Sequence, residues 1–184
     1  MIAAIAAVDV NRGIGFKNQL LEHIPEDLKY FKKLTTGKVV IMGSNTWASL
    51  PVKPLPNRYN IIITRTPLYD EESNNYSFMT WEEVINFLNN TEKDVFIIGG
   101  ERVYEKLLPY CDKIYLTYIG KAHNNVDTYF PDFKYTDKYG KWDLIETSEL
   151  KQYNDIVYCF QHYEKDHQWQ VPIGIIKNGQ KILY

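Results

Sequence analysis

The chain alternates short, uninterrupted apolar runs with longer segments that mix polar residues, glycine and proline. The apolar runs lie at 2–8, 39–43, 60–65, 95–100 and 113–119. Runs of this kind are typical of strands that are covered on both faces, as in a parallel sheet. We therefore predict five buried strands across the first two thirds of the chain.

Helices are predicted between these strands. Pro25 suits the opening position of a helix, and Leu28, Phe31 and Leu34 recur at a spacing that gives one apolar face. Gly37 ends this helix region, because glycine readily adopts the left-handed cap conformation. Further helices are predicted at 44–50, from the capping-box pattern at 80–83 onward, and at 101–108, where the next residue is Pro109.

The last third of the chain has a different pattern. Aromatic and apolar segments near 142–146 and 156–162 follow each other without a helix between them, which predicts an antiparallel pair. The whole pattern predicts an α/β fold with a mostly parallel central sheet, an antiparallel C-terminal edge and helices on both faces.

The predicted domain covers residues 1–164, and residues 165–184 are interpreted as a C-terminal extension. Asn178 and Gly179 stand between two apolar segments, which is a good signal for a β-hairpin. Such a hairpin could be a packing element, an oligomer contact or a tail. We expect a monomer, with an oligomer formed through the extension as the alternative.

Composition and charge exclude several classes of protein. The net charge of the 184 residues is −2, and the basic residues are scattered, which argues against a nucleic-acid-binding surface. The two cysteines, Cys111 and Cys159, lie far apart without metal-type spacing, so neither a metal site nor a disulfide framework is predicted. No apolar run approaches the length of a membrane span. These observations together predict a cytoplasmic protein.

Small, polar and basic residues follow three of the predicted strands. Because ligands bind beyond the carboxyl ends of the strands in open α/β sheets, these positions are candidates for holding an extended, phosphorylated ligand such as a dinucleotide. Each signal is weak alone, and the usual G-x-G-x-x-G fingerprint is absent after the first strand. The candidate positions are Gly43, Ser44, Asn45 and Thr46, then Thr64 and Arg65, then Gly99, Gly100, Glu101 and Arg102.

One aspartate and the four histidines are the titratable side chains that bear on the chemistry. Asp27 lies in the first turn of the first predicted helix, beside its apolar face, and is either a buried working acid or a complement to the helix dipole. The histidines show no ligand spacing, and we interpret all four as surface or structural residues: His23, His123, His162 and His167.

The motifs, taken in order, resemble those of the dihydrofolate reductase family. They cover residues 1–164 in family order and spacing: I-A-A-V, G-I-G-x-x-N-Q-L-L, H-I-P-E-D-L-K-x-F, V-I-M-G-x-x-T-W, L-P-N-R, I-I-I-T-R, I-I-G-G-x-x-V-Y, I-Y-L-T and D-T-Y-F-P. The resemblance implies an eight-stranded central sheet. It also implies NADPH-dependent reduction of 7,8-dihydrofolate to 5,6,7,8-tetrahydrofolate, which supports one-carbon metabolism and thymidylate synthesis.

The resemblance also assigns roles to residues. Asp27 matches the acid that binds the pterin and promotes its protonation, Thr117 matches a threonine bonded to that acid, and Arg58 matches the arginine that holds the glutamate carboxylate of folate. Other substrate-pocket positions are Ile5, Ala6, Leu28, Phe31, Leu50 and Ile98. Cofactor positions are Ala7, Ile14, Gly15, Asn18, Gly43, Ser44, Asn45, Thr46, Thr64, Arg65, Ile98, Gly99, Gly100, Glu101, Arg102, Val103 and Tyr104, with Arg65 the first choice for the 2′-phosphate.

Three residues depart from the family pattern. Glu22 stands where members nearly always carry tryptophan, Ser44 where an arginine is common, and Val126 where glycine is common. We count Glu22 among the candidate catalytic residues, because a second carboxylate near Asp27 would raise the pKa of that acid and shift the pH profile upward. The alternative is a Glu22 side chain that points to solvent.

Two other functions stay open. The first is a catalytically weak or inactive protein that keeps the fold for a binding or structural role. The second is a related reductase that acts on a different pterin or on a pyrimidine, although Arg58 would then have no glutamate tail to hold.

Overall fold

The computed structural model describes residues 1–66, 73–135 and 137–166, together with the backbone of two short paired segments at 176–177 and 180–181. Its main feature is a twisted central sheet. In chain order its strands are β1 (Ile2–Val8), β4 (Val39–Gly43), β5 (Tyr59–Ile63), β6 (Tyr76–Met79), β7 (Val95–Ile97), β8 (Lys113–Ile119), β10 (Trp142–Thr147), β11 (Lys151–Tyr153) and β12 (Ile156–Lys165).

Eight of these strands follow one another across the sheet in the order β10-β12-β8-β1-β7-β4-β5-β6, and β11 pairs with β12 beside this path. The six neighbouring strands β8, β1, β7, β4, β5 and β6 run parallel to one another. In contrast, β12 is antiparallel to both β8 and β10. The predicted mostly parallel sheet with an antiparallel C-terminal edge is therefore confirmed.

Helices cover both faces of the sheet, as predicted. They are α1 (Pro25–Thr35), α2 (Ser44–Ser49), α3 (Trp81–Asn90) and α4 (Glu101–Leu107), with short 3₁₀ helices at Leu108–Tyr110 and Asp137–Tyr139. One apolar cluster joins the sheet to α3 and α4, with Val84 and Leu107 fully buried. A second cluster on the opposite face packs against Phe31 of α1 and Trp47 of α2. The predicted capping box at Thr80 and Glu83 is present at the start of α3.

A second, smaller sheet corrects the interpretation of the glycine-containing segment as a loop. It consists of β2 (Gly13–Phe16), β3 (Gln19–Leu20) and β9 (Thr128–Tyr129), in the order β3-β2-β9. Lys17 and Asn18 both adopt positive φ, of 51° and 60°, so they form the two-residue turn that suits a tight hairpin. The apolar pattern missed these strands because they are too short to show a period.

Several predicted boundaries also differ from the structure. The strand predicted at 60–65 ends at Ile63, the strand predicted at 95–100 ends at Ile97, and β6 was not predicted. In the C-terminal extension, β13 (Ile176–Lys177) pairs with β14 (Gln180–Lys181) in antiparallel fashion, and Asn178 and Gly179 lie outside the described residues. No helix in the described part of the chain has the length and apolar character needed to cross a membrane.

Candidate active site

The centre of the candidate site is the carboxyl group of Asp27, in the first turn of α1. Pro25 opens this helix as predicted, and Ile24, buried directly before it, anchors the turn against a small apolar cluster. The Thr117 hydroxyl, on the central strand β8, donates a hydrogen bond of 2.5 Å to Asp27 Oδ1. Residues 27 and 117, far apart in the chain, are therefore brought together as the sequence predicted.

Burial and hydrogen bonding act in opposite directions on Asp27. Burial raises the pKa of Asp27 above its ordinary value, because a desolvated carboxylate is disfavoured relative to the neutral acid. The hydrogen bond from Thr117 acts to lower the pKa, but burial outweighs it. The group is thus a half-buried acid that takes up a proton more readily than an exposed aspartate does.

Apolar residues from several elements form a wall near this acid. Ile5 of β1 belongs to the buried cluster between the sheet and α1, and Phe31, Leu50 and Ile98 pack against that same cluster. Four of the six predicted substrate-pocket residues therefore share one apolar surface. Ala6 packs against the cluster on the other face of the sheet, and Leu28 exposes 46% of its surface.

Arg58 is a buried cation whose hydrogen bonds go to neutral groups. Its Nε donates to Thr35 Oγ1 at 2.8 Å, and its NH1 donates to the Pro56 carbonyl at 2.6 Å. Its guanidinium lies 5.6 Å from the centre of the Phe31 ring. Burial lowers the pKa of Arg58, and no acidic partner for it is present among the described residues. These contacts hold the guanidinium in place and leave its charge available to an anion.

The carboxyl ends of β4 and β7 meet at the predicted cofactor positions. The Gly43 N–H donates to the Gly99 carbonyl at 2.8 Å. Gly99 has a φ of +104°, and a Cβ built there would lie 2.8 Å from the ring of Tyr104. Both observations require glycine at residue 99. A Cβ at Gly100 would lie 3.6 Å from Thr46 Oγ1, so Thr46 is close to this turn as well.

Tyr104 connects this edge to the strand that carries the predicted pocket residues. Its buried hydroxyl donates a hydrogen bond of 2.7 Å to the Ile5 carbonyl. Burial raises the pKa of Tyr104, so the hydroxyl stays neutral and keeps its role as a donor. Val103, beside it in the first turn of α4, would lie 3.1 Å from a Cβ at Gly43.

The remaining predicted cofactor residues fall into two groups. The small sheet carries Ile14, Gly15 and the turn residue Asn18, and Ala7 follows Ala6 on β1. The polar and charged residues at the strand ends are mostly at the surface: Ser44, Asn45, Arg65 and Arg102 are exposed, whereas Thr64 and Glu101 are half-buried.

Comparison with known proteins identifies the family. A family model described as dihydrofolate reductase matches residues 1–165 of this chain. The chain belongs to the dihydrofolate reductase family. The dihydrofolate reductase of Bacillus subtilis (strain 168) is 38% identical over 170 residues, which cover 90% of this chain and 95% of that relative. The dihydrofolate reductase of Staphylococcus aureus is 35% identical over 167 residues, which cover 88% of this chain and 96% of that relative.

A solved structure supports the same assignment. It is described as dihydrofolate reductase from Enterococcus faecalis complexed with NADP(H) and RAB-propyl. It matches this chain with a TM-score of 0.76 and 29% sequence identity, covering 90% of this chain and 96% of its own.

Glu22, the first of the three predicted departures from the family pattern, lies in a group of charged side chains. Its Oε1 accepts a hydrogen bond from Lys121 Nζ at 3.0 Å and lies 2.9 Å from His123 Nε2. Burial alone would raise the pKa of Glu22, but the hydrogen bonds from His123 and Lys121 outweigh it, and the pKa is lowered. Glu22 therefore differs from the solvent-pointing alternative, since 20% of its side chain is exposed.

The expected effect of Glu22 on Asp27 does not follow from this geometry. The pKa of Asp27 is raised by burial, against the lowering effect of the bond from Thr117, and Glu22 is not among the causes. The charge of Glu22 is offset by Lys121 and His123. A catalytic role for Glu22 stays a prediction.

Val126, the third departure from the dihydrofolate reductase pattern, is accommodated without strain. Among the described residues, those with positive φ do not include Val126, so this valine does not need the conformation that glycine permits. A Cβ at Gly13 would lie 2.9 Å from Val126 Cγ1, which shows that the valine packs closely on β2.

Sequence analysis missed several residues that support the site. Thr35 accepts a hydrogen bond from Arg58, and Tyr30 packs on Phe160 with ring centroids 4.3 Å apart and ring planes tilted by 33°. Burial, together with the nearby Tyr115, Glu146 and Asp27, raises the pKa of Tyr30 to about 12. The position of Tyr30 on the face of α1 nearest Asp27 was a usable signal, because residues three apart on a helix are neighbours. No local signal pointed to His123.

Proposed function

We propose that this chain catalyses the NADPH-dependent reduction of 7,8-dihydrofolate to 5,6,7,8-tetrahydrofolate. The observation that carries the proposal is the half-buried Asp27 carboxyl group, bonded to Thr117, near an apolar wall over which Arg58 holds an unpaired charge. A flat heterocycle with an apolar middle and a carboxylate tail needs these three features. Membership of the dihydrofolate reductase family supports the same reaction.

In this proposal Asp27 binds the pterin ring and helps to protonate it. A carboxylate can accept hydrogen bonds from two adjacent N–H groups of the heterocycle through its two oxygens. Thr117 holds Oδ1 and so fixes the orientation of the carboxyl group. Because burial raises the pKa of Asp27, the group can carry a proton closer to neutral pH, which favours general acid catalysis.

Arg58 selects substrates with a carboxylate tail. Its Nε and NH1 are used by Thr35 and Pro56, which fixes the plane of the guanidinium next to Phe31. The remaining N–H groups can then pair with the glutamate carboxylate of dihydrofolate. A pterin without that tail would gain nothing from this buried cation.

The residues at the strand ends fit NADPH, which supplies the hydride when it is bound. Gly43 and Gly99 bring two strand ends close together where a Cβ would crowd Val103 or Tyr104, and the Tyr104 hydroxyl bonds to the Ile5 carbonyl. Arg65 is an exposed cation that suits the 2′-phosphate. Because Ser44 replaces a common arginine, the preference for NADPH over NADH rests mainly on Arg65. NADP(H) is present in the complex of the similar Enterococcus faecalis enzyme.

The substrate class is tested with purified protein by following nicotinamide absorbance with NADPH and either dihydrofolate or dihydrobiopterin. We expect turnover with dihydrofolate, and we expect Arg58→Gln to raise the KM for dihydrofolate about tenfold or more, since a charge-assisted hydrogen-bonded pair is lost. The matched control, Lys53→Gln, removes an exposed cation.

Two results would change the assignment. Equal KM values for both substrates, insensitive to Arg58→Gln, would favour a reductase for another pterin. Binding of dihydrofolate without turnover at any pH, by a folded protein, would favour the binding or structural role.

We further propose that the enzyme acts in the cytoplasm as a monomer. The wide separation of Cys111 and Cys159, both free and buried, supports a reducing compartment. Light scattering on the full chain tests the oligomeric state, and a dimer would direct attention to residues 165–184.

A further inference from the structure

His123 joins two carboxylates that come from different parts of the fold. Its Nδ1 lies 3.2 Å from Asp9 Oδ2, and its Nε2 lies 2.9 Å from Glu22 Oε1. The backbone N–H of His123 also donates to Asp9 Oδ2 at 3.1 Å. The imidazole is therefore held at both ends, with 13% of its side chain exposed.

The two contacts together require a particular form of the imidazole ring. A neutral imidazole has one N–H and can donate to only one of the two carboxylates, so its other nitrogen would face an oxygen lone pair. The imidazolium ring donates at both nitrogens and carries the charge that two carboxylates favour. The geometry thus suits the imidazolium form of the ring, which can donate to a carboxylate oxygen at each nitrogen.

The three residues belong to segments on either side of the hairpin formed by β2 and β3. Asp9 follows β1, and its Oδ1 accepts the N–H groups of Asn11 at 2.9 Å and Gly13 at 2.7 Å, which closes the turn into β2. Glu22 lies in the turn between β3 and α1, the helix that carries Asp27. His123 thus connects the two ends of the hairpin formed by β2 and β3.

The loop that contains His123 holds the tip of that hairpin as well. Asp127 Oδ2 accepts the Lys17 N–H at 2.8 Å, and the Asp127 N–H donates to the Gly15 carbonyl at 3.2 Å. The segment from residue 120 to residue 128 therefore fixes the hairpin at its base through His123 and at its tip through Asp127.

Further charges close this network. Lys121 Nζ lies 3.0 Å from Glu22 Oε1 and 3.5 Å from Asp155 Oδ2, a residue in the turn between β11 and β12. His123 thus faces Asp9 and Glu22, and Glu22 also faces Lys121. Lys121 also links the turn before β2 to the turn before α1, because its carbonyl accepts a hydrogen bond from the Val10 N–H at 3.3 Å, whereas His123 links them through one titratable ring.

We propose that His123 is a positioning residue that, in its doubly protonated form, clamps the base of the β2–β3 hairpin and so holds the nicotinamide side of the site in the form that binds NADPH. The inference rests on the proposed function, because Ile14, Gly15 and Asn18 on this hairpin are cofactor positions only in that assignment.

The test compares NADPH affinity of the parent and His123→Gln by fluorescence titration across about pH 5.5 to 9, a range that spans the ordinary imidazole pKa of about 6.5. At the acidic end we expect the variant to bind NADPH about three- to tenfold more weakly, the range for residues that couple elements around a site. The ratio of the two affinities should approach one as pH rises, because the neutral imidazole of the parent can donate to only one of the two carboxylates. Titration of the cofactor and of Asp27 affects both proteins and cancels in this ratio.

A matched control and a second variant separate the clamp from general damage. His23→Gln removes an exposed histidine next to Glu22 and should bind NADPH like the parent at every pH. Glu22→Gln removes one of the two carboxylates that contact His123. Like His123→Gln, it should weaken NADPH binding at the acidic end and make that binding depend less on pH. Amide hydrogen exchange without cofactor should be faster over residues 13–20 in both variants.

The outcomes distinguish this inference from the proposed function. A ratio that does not change with pH, or an unchanged NADPH affinity in both variants, overturns the clamp, whether or not the enzyme turns over. Faster exchange with unchanged NADPH affinity overturns the positioning role. Absence of dihydrofolate turnover, with pH-dependent NADPH binding as described, would overturn the proposed function and leave the clamp supported.

Discussion

Asp27 and Glu22 are two carboxylates close in sequence, on either side of the start of α1, and the structure treats them in opposite ways. Asp27 is half-buried beside apolar side chains and receives a neutral hydroxyl donor from Thr117, so burial dominates and its pKa is raised. Glu22 is also partly buried, but His123 and Lys121 both bond to it, and its pKa is lowered.

The difference shows that burial, together with the number and charge of the donors, separates the pKa values of these two acids. Pairs of carboxylates with pKa values pushed apart are a common way to divide an acid from a fixed charge in an active site. Asp27 suits proton uptake, and Glu22 suits a permanent negative charge that orders its neighbours.

The largest effect is expected from Asp27→Asn. The amide cannot take up and release a proton, so we expect turnover of dihydrofolate at neutral pH to fall about a hundredfold or more, the range for loss of a general acid. Asp143→Asn on the exposed edge strand β10 is the matched control. Steady-state rates of NADPH oxidation measure the effect, and a fall of less than about threefold would contradict the role of Asp27 as the acid.

Thr117→Val sharpens the comparison by removing the neutral hydroxyl donor that lowers the pKa of Asp27. We expect the pKa of Asp27 to rise further and the alkaline limb of the pH–rate profile, where the acid loses its proton, to move to higher pH, with about a tenfold loss of turnover from the misoriented carboxyl group. Thr147→Val, on the exposed face of β10, is the control. A profile that moves to lower pH would refute the assignment of Thr117.

Asp27→Asn should also change the free energy of unfolding, by a smaller amount and in a direction that the raised pKa of Asp27 fixes. Since the pKa of Asp27 is raised on folding, its ionisation opposes folding above the unfolded pKa of about 3.9. Asp27→Asn should therefore increase the free energy of unfolding at neutral pH by about 1 kcal/mol, and this gain should vanish in acid. Urea unfolding at neutral and acidic pH measures it, and a loss of stability at neutral pH would be the contrary result.

Glu22→Gln should give the smallest effect, of the opposite sign. The pKa of Glu22 is lowered on folding, so its stabilising contribution is present above the unfolded pKa of about 4.3 and is lost as pH falls through the folded value. We expect a loss of at most about 1 kcal/mol at neutral pH, because the group is partly exposed. A loss that persists unchanged in acid would show that charge is not its cause.

Much of the fold could be predicted because long elements carry strong patterns. Continuous apolar runs indicated β1, β4 and β8 with their observed bounds, and Pro25 and the capping box at Thr80 gave two helix starts. The strands of the small sheet were missed because their pairing depends on contacts such as Gly15 with Thr128, which no local pattern encodes.

The candidate site could be predicted where a role follows from one residue in one motif, and not where it follows from an arrangement. The roles of Asp27 and Arg58 were assigned from the family resemblance of their motifs, and they stay predictions. Without the resemblance, however, Asp27 could not be distinguished from a dipole complement, because its burial depends on β8. The pairing of Glu22 with His123 and Lys121 joins residues about a hundred positions apart, so the sequence offered only the unusual residue and not its partners.

The most direct test of this account is a carbon NMR titration that follows the side-chain carboxyl carbons of Asp27 and Glu22 in one sample of the folded protein. We predict that Asp27 titrates above the ordinary value for aspartate and Glu22 below the ordinary value for glutamate, with Asp27 moving further upward in Thr117→Val. Titration of Glu22 above Asp27, or of Asp27 at or below its ordinary value, would contradict the central claim that burial and donor charge divide these two carboxylates.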